Sequence, residues 1–245
     1  MKADPAVQRR LLDLAAVDAE LTRLAHRRRT LPEHAELTEA EAAVRAGKDK
    51  LVETETAAGD LDRDIRRLER DVEGVRARTE RDQQLLAGAG VGAKQAADLQ
   101  RELETLARRQ SVLEDEQLEV MERREALGID LEHARGVLAE AEKKLSEITE
   151  RRDTALLDID SGEAGRRRAR AEVVETLPAD VLAVYDRRRE QGKAGAAALR
   201  ERRCGACRLE LDRTALGALR SAPADEVVHC EECGVILVRT KESGL

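Results

Sequence analysis

Residues 87–93 read AGAGVGA, and the fold turns on them. Three glycines in five positions end a helix and permit a tight reversal. On the N-terminal side a 3–4 spacing runs through Leu37, Ala40, Val44, Gly47, Leu51, Thr54, Ala58, Leu61, Ile65, Leu68, Val72, Val75, Thr79, Asp82 and Leu86. On the C-terminal side it resumes through Leu99, Leu103, Leu106, Gln110, Leu113, Gln117, Val120, Arg124, Leu127, Leu131, Ala134, Leu138, Ala141, Leu145 and Ile148. A repeat sustained this long marks a coiled-coil seam. Two seams joined by a short glycine turn predict an antiparallel hairpin. At 1.5 Å per residue each arm spans roughly 80 Å.

A phosphate-loop reading of AGAGVGAK fails on two counts. The Gly-Lys-Ser/Thr ending is missing, since Gly92, Ala93, Lys94 and Gln95 hold those places, and the stretch follows a helix rather than a strand. Upstream, Asp4 and Pro5 form an N-cap and first helical position for a helix carrying Leu11, Leu14, Leu21 and Leu24. Pro32 predicts a break at Leu31–Pro32. Downstream, DIDSGEAG (158–165) is expected to end the second arm, with a short helix over 166–176 and another after Pro178. The expected division is a hairpin over 1–164, a helical junction over 165–192 and a small terminal module over 193–245. In that module Leu209–Leu211, Val227–Val228 and Ile236–Val238 are expected as short strands.

The module holds all four cysteines of the chain, as two CxxC pairs: Cys204 with Cys207, and Cys230 with Cys233. Two such turns can close a tetrahedron of thiolates about one ion, which predicts a structural metal site, most simply Zn²⁺. Two redox pairs, a disulfide framework and rubredoxin-type iron are the alternatives. The first lacks a βαβ context, and the last lacks aromatic packing. His229 precedes Cys230, but four sulfurs already complete the shell.

Composition agrees. The chain has 245 residues, 39% of them charged, with no Trp, no Phe and one Tyr, Tyr185. That excludes a large aromatic-filled core and favours long helices. No Ser/His/Asp or Cys/His nucleophile arrangement stands out, so neither catalysis nor a small-molecule substrate is expected. No apolar run approaches a membrane span and no secretory leader is evident, so a cytoplasmic location is expected. The net charge is −7 and uneven. Residues 165–203 carry eleven basic and six acidic side chains, whereas residues 204–245 carry five and seven. The basic clusters are Arg166, Arg167 and Arg168, then Arg187, Arg188 and Arg189, then Arg200, Arg202 and Arg203. Converging on one face, they would be candidate contacts to phosphates or to a partner. Solvated helix faces are the plainer explanation.

The glycine-turned hairpin, the stretch LQRELETLARRQSVLEDEQLEVMERRE and the ending CGAC…VVHCEECGVIL together resemble the bacterial C4-type zinc-ribbon family. The resemblance covers nearly the whole chain. It implies a mainly α fold: a long antiparallel coiled-coil hairpin with a small C-terminal β zinc ribbon. It also implies an adaptor, as some members bind an alternative sigma factor or a flagellar messenger RNA. Two departures weigh against RNA binding through the ribbon: its net acidic charge and Val238, where an aromatic is common. The leading expectation is therefore a non-enzymatic zinc-binding adaptor with a protein partner, acting in transcriptional or post-transcriptional regulation. The alternative is a nucleic-acid-binding regulator using the basic junction and ribbon. An RNA polymerase channel factor ranks lowest, because the tip is Gly and Ala rather than acidic. The sequence leaves the partner, the choice of RNA or DNA and the oligomeric state open.

Overall fold

The structure, a computed structural model, describes residues 1–88 and 90–245. Its contacts divide the chain into two compact units, Ala35–Glu150 and Met1–His34 with Arg151–Leu245. Helix α1 spans Pro5–Arg29, α2 spans Pro32–Ala87 and α3 spans Ala93–Val174. Asp4 caps α1, accepting from the Ala6 amide at 2.7 Å, and the break falls at Leu31–Pro32 as expected. The expected turn at 87–93 includes Ala89, which lies outside the described residues. No helix among the described residues is long and apolar enough to cross a membrane.

In the unit Ala35–Glu150, α2 and α3 pair antiparallel along the predicted seams. Leu37 and Ala40 bury against Ile148 and Leu145, and Leu68, Val72 and Val75 against Leu113 and Val120. Ion pairs follow the same descending register: Lys48–Glu142 at 3.5 Å, Arg135–Glu55 at 3.6 Å, Arg124–Asp62 at 2.8 Å and Arg76–Glu114 at 2.7 Å. Each is solvent-exposed at least in part and adds little energy, so burial of the seam supplies the stability and the charges confirm the register.

The second unit corrects one expectation. DIDSGEAG does not end the arm, because α3 continues through it to Val174. Two glycines cost about 1 kcal/mol each in a helix interior. Packing against α1 outweighs that cost. Ile159 is 1% exposed, a Cβ on Gly162 would sit in ordinary contact with Leu24 at 3.4 Å, and Arg28 pairs with both Asp160 and Glu163. The helix stops before Pro178, which disfavours helix at Leu177. Helix α4 then spans Ala179–Glu190.

Four short strands follow: β1 (Ala196–Arg200), β2 (Arg203–Cys204), β3 (Val228–His229) and β4 (Ile236–Val238), with helix α5 (Arg213–Ser221) between β2 and β3. The sheet order is β2-β1-β4-β3, with β1 and β4 parallel and both outer pairs antiparallel. Leu209–Leu211 forms no strand and contributes only an isolated bridge between Arg203 and Glu210. Side-chain alternation gives the sheet two buried faces. Ile236 packs with Leu11, Leu14, Val181 and Tyr185, while its neighbour Leu237 packs with Leu199, Leu219, Cys204 and Cys230. The residues expected as a separate junction thus fold together with α1 and the ribbon. The N-terminal segment joins them: the Ala3 amide donates to Asp225 at 2.7 Å, the Val227 amide to Met1 at 3.0 Å, and Gln8 Nε2 to the carbonyls of Ala3 and Ala224.

At the base of this unit Asp18 of α1 is only 3% exposed. It accepts from Arg170 Nε of α3 at 2.9 Å and from Tyr185 Oη of α4 at 2.8 Å, and it pairs with Arg189. Burial, followed by the bond to Asp18, holds the Tyr185 hydroxyl well above its ordinary pKa, so it stays a donor. A Cβ on Gly195 would overlap the Tyr185 ring, which makes glycine obligatory there. Removing one partner from such a cluster strands the others. Asp18→Ala should lower stability in denaturant unfolding by about 3 kcal/mol, the low end for a buried pair because both guanidiniums keep some water. Tyr185→Phe should cost about 1 kcal/mol. Values within a few tenths of the parent for Asp18→Ala would show the cluster to be energetically idle.

Candidate metal centre

Two knuckles of matching geometry carry the cysteines. The β1–β2 hairpin pairs Leu199 with Cys204, and the β3–β4 hairpin brings Cys230 and Cys233 alongside. In the first knuckle the Arg208 amide donates to the Cys204 carbonyl at 2.8 Å and the Cys204 amide to Leu209 at 3.0 Å. In the second, the Gly234 amide donates to the Cys230 carbonyl at 2.7 Å and the Cys230 amide to Val235 at 2.9 Å. The residue after each second cysteine is left-handed, Arg208 at φ 64° and Gly234 at φ 70°.

The turn before Cys204 is also unusual, since Glu201 and Arg202 both have positive φ, 45° and 65°. A C-terminal segment holds it. The Glu201 amide donates to Glu242 at 2.8 Å and the Arg202 amide to Ser243 at 3.0 Å. Arg239 braces the linker between the knuckles, donating to the carbonyls of Leu219, Ala222, Pro223 and Glu226 at 3.1, 2.7, 2.5 and 3.1 Å. Helix α5 is capped by Asp212, which accepts from the Ala215 amide at 2.7 Å.

All four sulfurs lie within 4.8 Å of one another. Cys204 and Cys233 are 3.8 Å apart, Cys207 and Cys230 3.9 Å, and all four thiols are free of disulfides. A tetrahedron with bonds of ~2.3 Å has edges of about 3.8 Å, so these two edges already match a zinc site and the other separations lie within about an ångström of that length. Backbone N–H groups are aimed at them. Burial pushes the Cys204 thiol up to about 12, opposed by the amides of Cys207 and Ala206. The Leu209 amide leads in drawing the Cys207 thiol down, and burial raises Cys233 against the Val235 amide. Such amides stabilise thiolates once a cation supplies the charge that burial withholds. His229 is exposed, with Nδ1 3.4 Å from the Gly234 carbonyl, and stands outside the sulfur cluster.

A family model described as CT398-like coiled coil hairpin domain matches residues 14–193, and one described as C4-type zinc ribbon domain matches residues 203–237. The chain belongs to the CT398-like coiled-coil hairpin family. The chain therefore carries a C4-type zinc ribbon, and its four cysteines are positioned to bind the ion. An uncharacterized protein of Mycobacterium tuberculosis is 42% identical over 239 residues, 98% of each chain. A solved structure from Mycobacterium smegmatis is 40% identical and matches with a TM-score of 0.88, covering 98% of this chain and 100% of that one. CT398 of Chlamydia trachomatis, at 19% identity, shares the fold with a TM-score of 0.69 over 96% of this chain and 98% of its own.

Most of the candidate arginines are engaged within the molecule. Arg166 pairs with Glu20 at 2.5 Å and Arg167 with Glu163 at 3.4 Å. Arg188 donates to the Cys233 carbonyl, Arg189 pairs with Asp18, and Arg202 donates to the Gly244 carbonyl at 3.3 Å. Arg200 pairs with Glu242 at 3.4 Å and Arg203 with Glu210 at 3.0 Å, while Arg168 and Arg187 are exposed. Sequence reasoning overlooked Asp18 and Arg239. A lone Asp among charged neighbours carries no signal, and Arg239 acts on backbone carbonyls remote in sequence.

The paired left-handed positions yield a test. Arg208→Gly should raise the stability of the zinc-loaded ribbon by about 1 kcal/mol, by relieving a conformation that only glycine adopts freely. Gly234→Ala should destabilise it by at least as much, since strain is joined there by overlap with Arg188. Opposite signs in denaturant titrations with zinc present are expected; equal signs would contradict the matching of the knuckles.

Proposed function

We propose that this protein is a non-enzymatic zinc-binding adaptor whose α3 arm docks a protein partner. The observation that carries this reading is a set of large apolar side chains left in solvent on one face of α3. Leu118, Met121 and Ile129 are 58%, 46% and 72% exposed. At 3.6 residues per turn they fall within about 80° of each other, away from the seam. Large apolar residues grouped on a surface mark interaction sites more often than chance exposure does. Glu122 and Glu125 flank them, so the complementary partner presents an apolar helix face or segment with basic edges.

The metal centre supports the same reading. A shell of four sulfurs leaves zinc no open position for water or substrate, and its role is to hold a surface in place. The internal pairing of most candidate arginines favours a protein partner over nucleic acid. The adaptor role that the family resemblance implies for some members directs the search toward transcription machinery.

The test uses full-length zinc-loaded protein as bait, compared with a Leu118→Glu/Ile129→Glu variant by quantitative mass spectrometry. One partner or a small set should be retained by the parent and lost, by tenfold or more, in the variant. Thermal unfolding of the variant should match the parent, because neither residue lies in a buried seam. An identical captured set would sink this reading. So would tight binding of labelled RNA or DNA that falls steeply with salt and weakens in Arg168→Ala/Arg187→Ala.

A further inference from the structure

Helix α4 carries two adjacent arginines that reach opposite ways. Arg189 pairs with buried Asp18, which also holds Arg170 and Tyr185. Arg188 turns instead to the second zinc knuckle. Its Nη2 donates to the carbonyl of Cys233, and its guanidinium lies against the turn at Gly234. A Cβ on Gly234 would come 2.8 Å from Arg188 Nη1, so the glycine serves the close approach as well as its φ of 70°. Arg188 Nε is buried with no hydrogen-bond partner. A cationic donor buried in this way is costly unless a negative charge lies nearby. Four thiolates around Zn²⁺ supply one, with a net charge of −2.

We propose that Arg188 is a positioning residue of the zinc centre, fixing the Cys233 turn and coupling metal retention to the packing of α4 on α1. Its bond to the carbonyl of a ligand residue sets the backbone from which the Cys233 sulfur projects. Its charge offsets that of the loaded centre. Outer partners of this kind change metal affinity by 10–100-fold when removed. Loss of metal removes the charge that compensates the buried guanidinium. Arg188 then loosens its hold on the knuckle, and the Arg189–Asp18 contact, made by the next residue of α4, feels the change. This inference is independent of the adaptor reading, because it concerns the metal and the base of the helices and no partner.

The experiment uses the full-length zinc-loaded chain. Zinc transfer to a chromophoric chelator should be at least tenfold faster from Arg188→Ala than from the parent. The exposed neighbour variant Glu190→Ala should release zinc at the parent rate. With cobalt(II) in place of zinc, the thiolate-to-metal charge-transfer bands should shift in Arg188→Ala and not in Glu190→Ala, a signature that general loosening would not produce. Hydrogen exchange should show the amides of α4 and those around Asp18 losing protection on metal removal in the parent. The same amides should be less protected in zinc-loaded Arg188→Ala. If Arg188→Ala does not accumulate folded, Arg188→Met, which keeps the apolar stem, decides the matter. Parent-like release and parent-like cobalt bands in the folded variant overturn the proposal, as does equal acceleration by Glu190→Ala.

Discussion

Four sulfurs gathered within 4.8 Å set the terms for the terminal module. Thiolates at that separation repel one another strongly, and thiols there satisfy little. Only a cation turns the arrangement into a net attraction. The strands it organises are two to five residues long, and a sheet of such pieces has little independent stability. The small core beside the sulfurs even includes two of the ligands, Cys204 and Cys230, among its buried members. Metal binding and folding of this module are therefore one event. The consequence reaches past the ribbon, because β4 shares its faces between two cores. Leu237 belongs to the metal side and Ile236 to the side that packs Leu11, Leu14 and Tyr185.

The chain shows where local pattern suffices and where it does not. The seams of α2 and α3 were legible because a heptad repeat is local information. Every buried residue of α2 lies on the predicted 3–4 spacing. The cysteine cluster was legible because the CxxC turn is local too. DIDSGEAG misled for the opposite reason. Its glycines and aspartates describe a helix end, and only contacts with Leu24 and Arg28, more than 130 residues earlier in sequence, keep α3 going. Helix α5 was missed because a short capped turn of helix between ligand pairs resembles linker. The basic clusters are a third case, since a run of arginines states charge and says nothing of what neutralises it.

The hairpin arms have no Phe or Trp, and their seam relies on small residues as much as on leucine. Gly47 meets the Leu138 side chain closely, with room for a Cβ at only 3.3 Å, and Ala40, Ala58 and Ala134 are buried. Small seam residues let the helices approach, and long leucines fill the alternate layers, as knobs-into-holes packing requires. Such a narrow seam uses few apolar positions per turn. Apolar residues elsewhere on α3, such as Ile129, lie outside its reach.

The single aromatic of the chain stands where a coiled-coil composition is least able to cope. Helices α1, α3 and α4 meet the sheet at one place, and a volume of that size cannot be filled by a two-residue seam layer. Tyr185 is fully buried there, with Gly195 cleared to admit the ring. Leucine would fill part of the space but leave Asp18 short of a donor. Replacing the whole Asp18, Arg170 and Arg189 group by apolar residues would be no loss in stability, since buried ion pairs rarely outperform packed hydrocarbon. What an apolar group could not supply is direction. Each guanidinium can satisfy Asp18 in only a narrow range of helix rotations, so the cluster fixes how α4 is turned. That rotation sends Arg188 toward Cys233, which makes the orientation of the helix, rather than its mere attachment, the link between the buried charges and the metal.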